Sequence, residues 1–137
     1  MLPVDTNIIF PLFVRSARTE DAKMLRELDP VWTTDPFALI EFSNILVTYE
    51  RSKLISLADA LKYLGAARDF LAPNFFPISH EAAIEFAVRF GVTAYDARFL
   101  AVADAADTPL VTEDTRLRKA APTLTQSIDE ALKNNRY

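Results

Sequence analysis

The sequence predicts an α/β fold: a three-layer α/β/α sandwich with a short parallel sheet of four to five strands. Two observations carry this. Short apolar runs, at residues 2–4, 31–34 and 110–112, alternate with longer helix-like stretches, the pattern of parallel strands joined by helical crossovers. Half of the 137 residues are hydrophobic and a quarter are charged. That is enough apolar surface for a buried core and too ordinary a charge content for a disordered chain.

In chain order, residues 2–4 read as a short buried strand that runs into an acid, Asp5. Residues 6–14 read as a helix in which Pro11 is tolerable only near the first turn. Thr19-Glu20-Asp21 joins a capping hydroxyl to acids that suit the positive end of a helix dipole, so a helix is expected over 20–28, closed before Pro30. Residues 31–34 form a strand, and Asp35-Pro36 places a cap before a proline at the first helical position. The helix over 36–51 carries Phe37, Leu39, Ile40, Phe42, Ile45, Leu46 and Tyr49. It is apolar on more than one face and therefore central. Ser56-Leu57-Ala58-Asp59 is a capping box that opens a helix to Leu71. Phe75-Phe76-Pro77-Ile78 reads as a short strand that its proline confines to an edge or an end. Ser79 caps a helix over 81–90 stopped by Gly91, and Thr93 opens another over 94–106. A strand at 110–112, a short helix at 115–120, a strand at 124–125 and a capping box at Ser127-Ile128-Asp129-Glu130 complete what reads as one domain, 1–137.

Composition removes several kinds of chemistry. There is no cysteine, so disulfides, thiolate nucleophiles and cysteine zinc sites are excluded. One histidine, His80, cannot build a multi-histidine metal site. Two glycines, Gly65 and Gly91, cannot build a phosphate-binding glycine loop. No apolar run approaches a membrane span, and no basic segment followed by an apolar stretch marks a signal peptide. The expected compartment is the cytoplasm. A net charge of −4 opposes general adhesion to nucleic acid. A nucleic-acid substrate would need local basic patches or bound cations.

Four carboxylates stand out. Asp5 sits at the carboxyl end of the first strand, the edge where ligands bind in open α/β sheets; it is also placed to cap the next helix. Glu41 has Phe37, Ala38, Asn44 and Ile45 along its helix face, and a carboxylate there is costly unless paired or bound to a cation. Asp96 shares a face with Phe99, Leu100 and Ala103, although Thr93-x-x-Asp96 is itself a capping pattern. Asp114 follows the strand at 110–112 and could cap the helix behind it, with Glu113 as a rival acid. Carboxylates without nitrogen or sulfur donors suit hard cations such as Mg²⁺ or Mn²⁺.

Four blocks resemble the PIN-domain family in order and context: Val4-Asp5-Thr6-Asn7-Ile8; Ala38-Leu39-Ile40-Glu41-Phe42; Tyr95-Asp96-Ala97-Arg98-Phe99-Leu100-Ala101-Val102-Ala103; and Pro109-Leu110-Val111-Thr112-Glu113-Asp114. Within that family the chain looks most like VapC-type toxins of toxin–antitoxin pairs. The resemblance implies a Mg²⁺- or Mn²⁺-dependent endoribonuclease that cleaves tRNA or rRNA and blocks translation. It implies that Asp5, Glu41, Asp96 and Asp114 hold metal, with Thr6, Asn7 and Thr112 as polar helpers. It also implies a homodimer and a small antitoxin that blocks the site. The alternative is a non-catalytic module of the same fold that binds RNA or protein. A haloacid-dehalogenase-like phosphatase is disfavoured because Asn7 stands where a second aspartate is needed, and a receiver domain because no lysine follows the late strand.

Among basic residues, Arg98 and Arg116 are the better candidates for phosphate contacts, each two residues past a proposed ligand. His80 reads as surface. Trp32, Phe75 and Phe76 read as core or dimer surface. Tyr63 and the aliphatic side of the helix Leu57–Leu71 read as a dimer or antitoxin groove.

Overall fold

The computed structural model describes residues 1–134. Among these residues eight helices and four very short strands follow one another in the order β1 (Leu2–Pro3), α1 (Thr6–Phe13), α2 (Thr19–Leu28), β2 (Trp32–Thr33), α3 (Phe37–Arg51), α4 (Leu57–Leu71), α5 (His80–Phe90), α6 (Ala94–Ala106), β3 (Leu110–Val111), α7 (Thr115–Ala120), β4 (Thr125–Gln126) and α8 (Ile128–Asn134). A 3₁₀ turn, Ala72–Asn74, follows α4. The fold is a mostly helical α/β arrangement.

Regular strand pairing is sparser than the expected sheet of four to five strands. It consists of two parallel two-stranded ladders, β1 with β2 and β3 with β4. A single parallel bridge, Val4 to Val111, joins the ladders edge to edge, and the Asp5 N–H donates to Val111 O at 3.0 Å beside it. The expected strand at Phe75-Phe76-Pro77-Ile78 shrinks to one bridge, Phe75 to Thr34. The reason is local. Pro3 and Pro77 have no N–H to give a ladder. Asp5, Asp35 and Asp114 turn the chain into helices or loops immediately after their strands.

The start signals differ in how well they are used. Ser56 and Asp59 exchange both bonds of a capping box, as do Ser127 and Glu130. Asp35 Oδ1 accepts from Phe37 N at 2.7 Å, and Pro36 has helical angles, so the Asp-Pro signal works as expected. Gly91 stops α5 in the left-handed region at φ 67°, where a Cβ would be strained. Thr19 is a correction: it lies inside α2, and its buried hydroxyl accepts from Ser16 N and donates to Pro11 O at 2.7 Å, tying α2 to α1. Pro11 is another: it sits in the last turn of α1, not the first.

One hydrophobic cluster reaches from Leu2 to Leu132. Its centre is Ile8, Ile9, Phe42, Phe99, Leu100 and Leu110, all essentially without exposure. Aromatic rings extend it: Phe10 meets Phe42 and Tyr49 at 5.3 and 4.9 Å, and Trp32 meets Phe70 edge-on at 5.5 Å. Trp32 is thus core, and its indole N–H is satisfied by Asp29 O. The consequence for function is that α1, α3, α6 and the 112–114 loop are fixed around one end of the β1–β3 junction. No helix among the described residues is long and apolar enough to cross a membrane.

Candidate active site

Asp5 lies where β1 ends and α1 begins, and it is 7 % exposed. Both of its oxygens are engaged. Oδ1 accepts from Thr6 N at 2.7 Å; Oδ2 accepts from the Thr112 hydroxyl at 2.7 Å and from Asn7 Nδ2 at 3.4 Å. The capping role and the site role therefore coexist on one carboxylate. Thr112, fully buried, also accepts the Asp114 N–H at 3.1 Å, so one hydroxyl couples the first acid to the last. Asn7 Oδ1 accepts the Glu113 N–H at 3.1 Å, drawing the 112–114 loop against α1.

Thr6 donates its hydroxyl to Glu41 Oε1 at 2.6 Å, across 35 residues of sequence. Glu41 is half-buried on α3 and Asp96 half-buried on the first turn of α6, where Thr93 caps the helix through Asp96 N. Asp114 Oδ1 caps α7 by accepting from Arg116 N and Leu117 N. Asp5, Glu41, Asp96 and Asp114 line one cleft of about 400 Å³ together with Thr6, Asn7, Ile40, Asn44 and Ile45. Asn44, read in the sequence only as a neighbour of Glu41 one turn away, is part of that lining.

The two adjacent acids at 113 and 114 separate cleanly. Glu113 points away from the cleft. One of its oxygens accepts from Ile128 N at 2.8 Å, at the start of α8, and the other pairs with Arg18 at 3.3 Å. It is Asp114 whose side chain lines the cleft.

Electrostatics report the crowding. Burial pushes the Asp5 carboxyl up to about 7; Glu41 and Asp96 add repulsion, while the Thr112 hydroxyl and Thr6 N–H pull the other way. Glu41 is raised, first by burial and then by Asp96, against the Thr6 hydroxyl. Asp96 is raised by burial and by Asp114. Asp5, Glu41 and Asp96 are thus each raised in part by another acid of the cleft, as carboxylates in one small space must be.

The donor set is all oxygen, which suits a hard divalent cation. Among the described residues no group of three or more acids or histidines is gathered tightly enough to chelate one ion directly. An ion of the Mg²⁺ type does not need that, since it commonly keeps several waters and takes one or two carboxylates. The residues fit such an ion.

Arg98 and Arg116, both expected to face phosphate, differ in their surroundings. The guanidinium of Arg98 is largely enclosed: it donates to Ile78 O at 2.7 Å, approaches Asp35 Oδ2 at 3.4 Å and lies 2.7 Å from His80 Nδ1. Its charge is thus committed to joining α6 to the ends of α3 and α5, a correction to the sequence reading. Arg116 remains exposed at the start of α7. His80, read as surface, is exposed but joined to Arg98. The buried Asp35, read only as a cap, also accepts from Ile78 N at 2.8 Å. Nothing in the sequence signals that second role, because its partners lie 43 and 63 residues away.

A family model of the PIN domain matches residues 3–122. Among solved structures, the crystal structure of PAE2754 from Pyrobaculum aerophilum is similar with a TM-score of 0.73, over 97 % of this chain and 93 % of that one, at 18 % identity. Likeness at that identity concerns the fold. No curated protein matches the sequence. With the family model spanning most of the chain and the fold in agreement, the chain belongs to the PIN domain family, whose fold is generally that of a nuclease.

Proposed function

We propose that this chain is a Mg²⁺- or Mn²⁺-dependent endoribonuclease acting as the toxin of a toxin–antitoxin pair. The observation that supports it most is convergence: acids from residues 5, 41, 96 and 114 line a single cleft, and burial together with a neighbouring acid raises Asp5, Glu41 and Asp96. Solvated surface carboxylates have no reason to gather so.

Asp5, Glu41, Asp96 and Asp114 would hold the ion. When bound, it would lower the pKa of a water and offset charge on the phosphate during displacement. The chain's own groups orient the carboxylates. The Thr112 hydroxyl and Thr6 N–H fix the two Asp5 oxygens, and the Thr6 hydroxyl fixes Glu41. Asn7 holds Asp5 on one side and the 112–114 loop on the other. Ile40 and Ile45 give the cleft an apolar flank. Arg116, exposed beside Asp114, would meet a backbone phosphate.

The choice of RNA, with tRNA or rRNA as the expected target, and the toxin role rest on the resemblance of the four sequence blocks to VapC-type toxins. A homodimer and a small antitoxin belong to the same reading. An exposed apolar groove of about 340 Å³ between α3 and α4, lined by Leu46, Val47, Leu57, Leu61 and Leu64, supports a protein partner there. The test is induced expression of wild type and of Asp5→Asn, followed by sequencing of cellular RNA ends. Wild type should generate new ends and arrest growth, and Asp5→Asn should do neither while keeping its fold. Full activity in Asp5→Asn and Asp96→Asn would defeat the assignment. RNA binding without metal uptake would favour the non-catalytic module.

A further inference from the structure

A second cavity, of about 590 Å³, lies beside the acidic cleft where the N-terminal ends of α3, α5 and α6 meet. Ile40 lines both cavities. Phe37 stands one helical turn before Glu41, and Tyr95 immediately precedes Asp96. The two aromatic rings stack with centroids 5.3 Å apart and planes within 12°. Phe37 in turn rests on the fully buried Phe99, 6.5 Å away. Tyr95 is nevertheless 63 % exposed. One face of its ring is therefore held against Phe37, while most of the residue remains exposed at the cavity wall.

We propose that Tyr95, backed by Phe37, is a stacking platform for one unpaired base of a single-stranded RNA whose backbone enters the acidic cleft. The proposal rests on the nuclease reading of that cleft. Single-stranded RNA is recognised chiefly by splaying bases onto aromatic rings, a contact every base can make. A ring fixed flat by a second ring has already lost its rotational freedom, so little more is lost when a base arrives. Continuity decides the occupant. Through Ile40, and through the sequence neighbours Tyr95 and Asp96, the platform lies next to the carboxylates. A base seated on it leaves its own phosphate group at the cleft. Arg98 holds the arrangement together, because its bonds to Asp35 and to Ile78 O join α6 to the segments that lead into α3 and α5. The other occupant to test is a second copy of the chain, reaching the cavity past Ile84 and the exposed Val88 of α5.

Steady-state cleavage of a short, mixed-sequence, single-stranded oligoribonucleotide tests this, with wild type, Tyr95→Ala and Tyr95→Phe compared in Mg²⁺. A base stack contributes equally before and during reaction, so its loss falls on KM. Tyr95→Ala should raise KM about 10-fold, within the range of one base–aromatic stack, with kcat moved less than about 2-fold. Tyr95→Phe should restore KM. An abasic nucleotide at one position should weaken the wild type similarly and leave Tyr95→Ala no weaker than before. A wild-type KM in Tyr95→Ala overturns the platform and leaves the nuclease reading standing. Equal damage from both substitutions marks a structural effect and overturns it too. If Tyr95→Ala turns a dimer into a monomer in sedimentation while KM holds, the face belongs to self-association and the proposal falls. If wild type cleaves no RNA under any divalent cation, the nuclease reading fails first and takes the platform with it.

Discussion

Removing the buried charge at Asp5 should make the metal-free protein more stable while disabling it. Burial and neighbouring acids raise Asp5 from the ordinary 3.8 to about 7. The folded state therefore holds a proton that the unfolded chain gives up near 3.8. Between those values the folded state binds more protons, so stability falls as pH rises; below 3.8 the group contributes no difference. A displacement from 3.8 to about 7, at about 1.4 kcal/mol for each pH unit, amounts to about 4 kcal/mol once Asp5 is ionised. By pH 5 only about a third of that is felt, and by pH 8 nearly all of it. Asp5→Asn keeps an acceptor for the Thr6 N–H and a partner for the Thr112 hydroxyl, but it cannot ionise. In EDTA, its advantage over wild type should thus grow by about 2 to 3 kcal/mol between pH 5 and pH 8. Urea denaturation of both proteins at the two pH values measures this. Mg²⁺ at pH 8 should stabilise wild type and leave Asp5→Asn unmoved. An advantage that is the same at both pH values, or smaller at pH 8, would mean that Asp5 is not a desolvated carboxylate raised by burial.

Other expectations follow from single contacts. Thr112→Val removes a buried hydroxyl bonded to Asp5 and orphans the Asp114 N–H; it should cost about 1 to 3 kcal/mol by chemical denaturation and lower RNA cleavage at least about 10-fold. Glu113→Gln breaks the Arg18 ion pair but can still accept from Ile128 N, so stability should drop by about 1 kcal/mol or less while calorimetric Mg²⁺ binding persists. Asp114→Asn should do the reverse, keeping the α7 cap and losing metal affinity. Phe42→Ala empties a fully buried site between Phe10 and Phe13 and should cost about 3 to 5 kcal/mol in denaturant titration.

Several of these features were legible in the sequence because they are local. Capping boxes at Ser56 and Ser127, the Asp-Pro start at α3 and the Gly91 stop each depend on residues within one turn, and the structure uses them as expected. The four acids were found by their places at strand ends and on an apolar helix face, and the cleft they line follows from how β1, α3, α6 and the 112–114 loop pack. What was hidden is tertiary. The local chemistry of Glu113-Asp114 does not tell which acid turns inward, since that depends on Arg18 and on the start of α8; only the resemblance of the block points to Asp114. Thr-Glu-Asp at residue 19 has the form of a cap, yet Pro11 O, whose geometry belongs to another helix, captures the hydroxyl. The position of Arg98 two residues past Asp96 suggests a phosphate contact, but Asp35 and Ile78 O claim its guanidinium across 63 and 20 residues. At Phe75-Phe76-Pro77-Ile78 the apolar composition favours a strand, while proline and a nearby helix cap cut its pairing to one bridge.

On the proposed function, Asp5, Glu41, Asp96 and Asp114 jointly capture a divalent ion. Crystals soaked in Mn²⁺ and measured at the manganese absorption edge test it most directly. An anomalous peak inside the cleft, within coordination distance of Asp5 and at least one of the other three acids or their bound waters, is the expected result. A peak confined to other acidic surfaces, or none in the cleft at saturating Mn²⁺, would contradict it.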